Sequence, residues 1–397
     1  MSKVKTALVI GGGIAGPVTA LALAKAGILA TVYEAHGEPA DGVGAMLSLA
    51  PNGLNALRII GADKVAQDVG HPVPGVVMAD GSGNQVAEFG GFPGLPATHA
   101  MARADLFRAL ADHATARGVP IRYGKRLVAA DDTGDGVTAT FSDGSTATAD
   151  VLIGADGIRS TVRGLIDPTA PGPEYGGVLS FGGYAVGSDV RAEPGTMYFA
   201  FGRTFIGYWR LPDGRICWFA GLPRTTPLSS AEVGRRPAAE WLTELRDLYA
   251  GHIPGEKLLA GTDPRDMMVV GPMERMPSVP SWHRGRMVLV GDSAHAPSSS
   301  SGQGASLAIE SAVELARCLR DLPTPEAAFT AYEHLRRDRV EMIGGDAAAK
   351  NKAKAGQAGE RPVMPTPEQM FGPVHRHHIP WDEHVIAADD SVPAPQR

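Results

Sequence analysis

Val4-Lys5-Thr6-Ala7-Leu8-Val9-Ile10-Gly11-Gly12-Gly13-Ile14-Ala15-Gly16 is the stretch that decides the fold. An apolar run ends in glycines, residues 17–26 continue with Ala/Leu-rich helical spacing, and residues 30–34 are apolar again. This order is strand, helix, strand within the span of one βαβ unit. Gly11, Gly13 and Gly16 have the spacing of a dinucleotide-binding turn, and Glu34 follows Gly16 by eighteen positions, at the end of the second strand. Gly11 allows the tight turn, Gly13 lets the backbone approach a pyrophosphate, and Gly16 lets the helix pack close to the strand. The helix start at Ile14 and Ala15 favours phosphate charge. Glu34, with Ala35 beside it, would accept adenosine ribose hydroxyls and repel a 2′-phosphate.

This turn does not distinguish NAD from FAD. A distal segment does: Gly291-Asp292-Ser293-Ala294-His295, followed by Gly302-Gln303-Gly304-Ala305-Ser306. Between the two lies Asp156-Gly157-Ile158-Arg159-Ser160-Thr161-Val162-Arg163. Together the three segments resemble the triple signature of the FAD-dependent aromatic hydroxylases, the single-component class A flavoprotein monooxygenases of the para-hydroxybenzoate hydroxylase type. The resemblance covers nearly the whole chain. It implies that Asp292 holds the ribityl chain and that Gly302, Gln303, Gly304 and Ala305 face the pyrimidine edge of the flavin. It further implies that the Asp156 segment contacts the pyrophosphate and helps receive the nicotinamide, that Arg103 lies on the flavin just before a helix, and that Leu127 lines the adenine. A helix N-terminus at the N1/C2 carbonyl edge also stabilises negative charge on a reduced flavin. On residue grounds alone Asp156 equally suits an N-cap at a strand-helix turn, and both roles can hold. One departure stands out: where the family often has a Pro-Pro pair after the His, this chain has Ser298 and Ser299, with Pro297 just before.

Elsewhere residues 105–117 read as an amphipathic helix. Residues 121–123, 127–131 and 137–141 read as strands, the last closed by the turn Ser142-Asp143-Gly144-Ser145. The apolar run 151–154 suits a central parallel strand. From 175 to 222 aromatic residues alternate with Gly and Thr, and the turn Pro212-Asp213-Gly214-Arg215 interrupts them, as in an antiparallel sheet. Residues 286–290 then read as a last strand, with helices over 304–319 and 326–342. The expected fold is α/β: a Rossmann-like FAD/NAD(P)-binding domain with an inserted antiparallel-sheet substrate domain. The FAD-binding domain is discontinuous, over 1–75, 100–175 and 265–345, and the substrate domain takes 76–99 and 176–264. Residues 346–397 form a helix end and a Pro/Gly-rich tail that wraps the surface or stays partly disordered. His375, His377 and His378 read as part of a solvated basic tail and not as a metal site. Phe201, Tyr208 and Trp218 are the candidates to line a substrate pocket, although core packing suits each of them as well.

A net charge of -6 over 397 residues provides no basic field for nucleic acid. No apolar run reaches the ~18 residues that cross a bilayer, and the opening residues read as a buried strand and not as a signal peptide. Cys217 and Cys318 form no CxxC pair, which excludes a disulfide framework and the dithiol of thioredoxin-reductase-type flavoenzymes, and points to the cytoplasm. No partner protein is implied. No second glycine fingerprint is present, so NADH or NADPH would dock transiently. The reading is an NAD(P)H- and O2-dependent FAD monooxygenase that hydroxylates an aromatic or polycyclic small molecule. By resemblance it works through a flavin C4a-hydroperoxide and uses no side-chain nucleophile. The alternatives are epoxidation or Baeyer-Villiger insertion on the same fold, or an FAD-binding protein that shields or rearranges an intermediate without net oxygenation. A halogenase is disfavoured, since no Trp-x-Trp-x-x-Ile segment occurs.

Overall fold

The structure is a computed structural model that describes residues 4–38, 46–202, 204–354 and 366–386. Thr6–Ile10 is the expected first strand. It pairs in parallel with Leu29–Tyr33 on one side and with Val151–Gly154 on the other, and Val151–Gly154 pairs in parallel with Met287–Leu289. Two short strands, Ile121–Arg122 and His283–Arg284, complete a six-stranded sheet. Val151, Leu152 and Ile153 are wholly buried because this strand is covered on both faces, which accounts for its unbroken apolar run. The helix Ala15–Lys25 is buried from Ala15 to Leu23, since it packs against the sheet and against the helix Gly304–Asp321. Two helices far apart in sequence thus meet in one core.

A second, seven-stranded sheet runs from Gln85–Phe89 at one edge to Thr262–Arg275 at the other. Its pairings are antiparallel with one exception: Thr196–Phe201 lies parallel to Gly75–Asp80. Those two strands come from separate excursions of the chain, so no hairpin ties their directions together. The edge strand Thr262–Arg275 runs through the expected domain boundary at 265 and ends at Arg275.

The strand period of two divides the aromatic residues between the faces. Tyr198, Tyr208 and Trp218 pack under the helices Ala238–Leu248 and Ile253–Ala260, against Trp241, Leu245, Tyr249 and Leu258. Met197, Trp209 and Cys217 point the other way, toward Val73 and Ala100, with Met46, Tyr184, Phe199 and Phe219 partly buried around them. This second face is turned toward the strand pair Met46–Leu49 and His99–Ala102, the latter leading directly into Arg103.

The tail differs from expectation. A helix, Pro367–His375, lies beside the sheet edge, with Phe371 stacked 5.4 Å from Phe89. Ile379 and Trp381 are buried in the first core, and the Arg320 guanidinium sits 4.7 Å above the Trp381 ring. His375 is buried and His377 half-buried, so only His378 of the three matches a solvated tail. Apolar anchors, sparse in sequence, hold this segment down. The remaining tail residues, 355–365 and 387–397, lie outside the described residues. Among the described residues no helix is long and apolar enough to cross a membrane, and no group of His, Cys, Asp and Glu is arranged to hold a metal.

Candidate functional site

The glycine turn is dictated by contact. Gly11 has φ +105°, and a Cβ there would run into the Ala155 carbonyl. A Cβ on Gly16 would run into the Gly11 carbonyl, so this glycine sets how close the helix comes to the strand. Gly13 is different: its nearest neighbour to a Cβ is a Phe107 ring atom at 3.8 Å, which leaves its surface open to a ligand. No side chain caps the helix at Ile14, and its first N–H groups are free for an anion.

Gly12 meets Glu34. Its N–H donates to Glu34 Oε2 at 2.6 Å, while Oε1 accepts from the His36 backbone N–H at 2.8 Å and lies 2.7 Å from His36 Nδ1. Burial alone would raise the Glu34 pKa, but these hydrogen bonds outweigh it and hold the carboxyl below its usual range. A fixed negative charge therefore sits at the end of the second strand. Ala35 is half-buried beside it.

The distal motif touches the first. Gly291, with φ +66°, would place a Cβ 3.2 Å from the Ala15 Cβ and 3.1 Å from the Ala308 Cβ, so its turn fits between the two helices. Asp292 follows, and its carboxylate accepts no hydrogen bond among the described residues. Burial pushes its pKa up and the Arg103 guanidinium opposes the rise. Arg103 is exposed and is the first residue of the helix Arg103–Ala116, one position further in than expected. Ser298 caps a short turn, Ser299–Ser301, which occupies the place of the family's Pro-Pro pair. Gly302 then takes φ +64°, and a Cβ there would lie 3.4 Å from Ser48 Oγ. Gln303 is buried and Gly304 has open space where a Cβ would be. No side chain caps the helix that starts there, and Ala305 is half-buried in its first turn.

Asp156 shares the capping role with Ser160, the N-cap residue, whose Oγ accepts from the Arg163 N–H at 2.9 Å. Asp156 Oδ2 accepts from the Thr161 and Val162 N–H groups at 2.7 and 3.1 Å, and its Oδ1 from Ser160 Oγ at 2.5 Å. Its carboxylate thus serves the helix Thr161–Ile166. The segment still borders the site: Arg163 donates through Nη1 to the Ser293 carbonyl at 2.9 Å, and Ser293 Oγ donates to the Gly154 carbonyl at 2.6 Å. The three motifs are therefore stitched to one another. Leu127 is 4% exposed, packed in the core with little surface to offer an adenine.

The pocket candidates divide between the two faces of the sheet. Tyr208 and Trp218 lie on the helix-covered face, where Trp218 Nε1 donates to Thr262 Oγ1 at 2.9 Å. Phe201 is exposed at the end of its strand, on the opposite face, 5.2 Å from the Phe205 ring. Trp209 and Phe219 share the face of Phe201, which alternation alone does not set apart from the other. Sequence reasoning missed Asn52: its Nδ2 donates to Gln303 Oε1 at 3.1 Å and to Glu310 Oε1 at 2.6 Å. Its one sequence signal is the neighbouring Gly53, where a Cβ would come within 2.7 Å of Ser306 Oγ.

The site fits FAD at several points: an open glycine surface, two uncapped helix starts, and a carboxylate beside Arg103 with no hydrogen bond of its own. Comparison with known proteins agrees. Residues 3–345 match the family described as FAD binding domain. The FAD-dependent urate hydroxylase of Klebsiella pneumoniae is 32% identical over 351 residues, covering 84% of this chain and 86% of the relative. The aurachin C monooxygenase/isomerase of Stigmatella aurantiaca is 30% identical over 84% of this chain and 86% of its own. The crystal structure of Klebsiella pneumoniae HpxO with FAD and uric acid superposes with a TM-score of 0.79, at 26% identity, over 94% of this chain and 92% of that one. A match of this extent means that the chain belongs to the FAD-binding-domain family and is an FAD-dependent monooxygenase.

Proposed function

We propose that the protein takes reducing equivalents from NADH or NADPH and uses O2 to hydroxylate an aromatic or polycyclic small molecule. The observation that carries this reading is the aromatic surface on the sheet face turned toward the strand pair Met46–Leu49 and His99–Ala102. Phe199, Phe205 and Phe219 are half-buried. Phe205 lies 5.9 Å from Phe199 and 5.8 Å from Phe219, and Trp209 lies 6.3 Å from Phe219. Incompletely covered rings at these separations offer a planar ligand edge-on and tilted contacts. Tyr184, with the Arg215 guanidinium 4.6 Å above its ring, provides a polar end.

FAD, when bound, supplies the electron transfer and the activation of O2. The chain's part is to hold and to exclude. The Gly11–Gly16 backbone would hold the pyrophosphate and Glu34 the adenosine ribose. Asp292 with Arg103 would hold the ribityl chain and flank the ring, and Gly302, Gln303, Gly304 and Ala305 would face its pyrimidine edge. The aromatic face keeps water from the reacting side.

The test is NAD(P)H oxidation by the holoenzyme against a panel of aromatic compounds, urate among them. Stimulation by one compound, with hydroxylated product formed, is the expected result. Binding of a compound without nicotinamide oxidation or product would replace this reading with that of a shielding protein.

A further inference from the structure

Glu310 lies in the middle of the helix Gly304–Asp321, with its side chain 1% exposed. A carboxylate in such surroundings persists only with partners, and Glu310 has four of them, on three separate stretches of chain. Arg336 Nη2 is 2.7 Å from Oε2. Arg339 donates through Nε to Oε2 and through Nη2 to Oε1, both at 2.9 Å. Asn52 Nδ2 donates to Oε1 at 2.6 Å, and His377 Nε2 lies 3.9 Å from Oε2. Two of these partners reach further. Arg339 also donates to the Pro373 and Val374 carbonyls, at 3.1 and 3.0 Å, at the end of the helix Pro367–His375. The Asn52 amide also donates to Gln303 Oε1 at 3.1 Å. An unbroken polar path thus runs from the C-terminal helix through Arg339, Glu310 and Asn52 to the residue before the helix start at the flavin edge.

The far end of the path touches the substrate sheet. Phe371 stacks on Phe89, whose strand pairs with Gly75–Asp80, the neighbour of Thr196–Phe201. Phe89 also lies 4.9 Å from Phe92, and Phe92 lies 6.1 Å from His375. The C-terminal helix is therefore clamped between the sheet edge and the Arg339 fork.

We propose that Glu310 is a positioning residue: through Asn52 it fixes Gln303 at the flavin, and it does so only while the docked C-terminal helix holds Arg339 in place. The seating of that helix and the geometry of the flavin loop are in this way one event. A buried, fully paired carboxylate suits the task because its partners cannot shift singly without leaving a charge unpaired.

The inference rests on the flavin ring lying at Gly302–Gly304, so the experiment begins with Gln303→Ala. That variant is expected to weaken FAD binding and shift the visible flavin spectrum. If it does neither, the placement and the coupling fall together. Given that response, the full-length protein is compared as Asn52→Ala, Phe371→Ala and the double variant, by FAD dissociation constant and by apo-protein Tm. No hydrogen bond or ring contact joins Phe371 to Asn52 among the described residues, although their helices touch, and independent sites would multiply their effects. We expect each single change to weaken FAD by roughly fivefold, about the value of one hydrogen bond, and the double to be no weaker than the worse single. Multiplied effects, or a Phe371→Ala protein that binds FAD as the wild type does, would overturn the proposal. Should Phe371→Ala fail to fold, Arg339→Lys replaces it, since lysine keeps a charge near Glu310 but loses the fork to the two carbonyls.

Discussion

Asp292 and Asp156 are both carboxylates in Gly-Asp or Asp-Gly pairs, and their surroundings give them opposite uses. Asp292 accepts no hydrogen bond among the described residues and faces Arg103, whereas Asp156 is consumed by the Thr161 and Val162 N–H groups and Ser160. Asp292→Ala should therefore weaken FAD by about tenfold to a hundredfold, as loss of a charge-assisted hydrogen bond of roughly 1.5 to 3 kcal/mol requires. Its apo-protein Tm should hardly change. Asp156→Ala should do the reverse, with stability falling by about 0.5 to 2 kcal/mol through the lost cap. Fluorescence titration with FAD and thermal denaturation of both apo-proteins make the comparison, and equal FAD affinity in wild type and Asp292→Ala would sink the assignment. Gly11 and Gly16 of the cradle were legible in sequence because hard contacts leave only glycine there. Asn52 was not, since its amide finds a partner 251 positions away in Gln303 and only the neighbouring Gly53 hints at a close approach.

At the level of elements, periodicity and turn chemistry made the first strand, its helix and the central strand Val151–Gly154 readable. The C-terminal helix was not, because its docking depends on a few anchors set against distant surfaces: Phe371 on Phe89, and Trp381 under Arg320. The same burial makes this element sensitive to acid. Burial, with a contribution from Arg339, lowers the pKa of His375 from 6.5 to about 4, and burial likewise lowers His377 to about 4 against the pull of Glu310. Both are neutral when docked but take up a proton near 6.5 once released. Docking is thus fully stable above pH 6.5 and loses stability as pH falls from there toward 4. Hydrogen exchange over 366–386 should accelerate across that window before the first core does. Exchange that stays flat from pH 7.5 to 4.5 would contradict the histidine assignment.

For the whole molecule, function depends on which face of the second sheet meets the cofactor side. The alternation of Phe205-Ile206-Gly207-Tyr208-Trp209-Arg210 separates Tyr208 from Trp209, but only the packed helices show that Tyr208 is turned away from the proposed substrate cleft. Gly207 adds a second sign: a Cβ there would run into the Phe219 ring, so the glycine lets that ring lie across the sheet. Phe219→Ala should accordingly loosen the cleft, admit water and raise the hydrogen peroxide formed per NAD(P)H, while FAD content holds. Tyr208→Ala removes a ring 3% exposed and stacked 5.1 Å from Tyr198. It should cost about 3 to 5 kcal/mol of stability, as large-to-small changes of a buried aromatic do, and leave the peroxide ratio of the folded fraction unchanged. Product and peroxide per nicotinamide oxidised, measured beside Tm for the two variants at equal FAD content, separate the faces. A Tyr208→Ala enzyme that uncouples while Phe219→Ala stays coupled would move the substrate to the other side of the sheet.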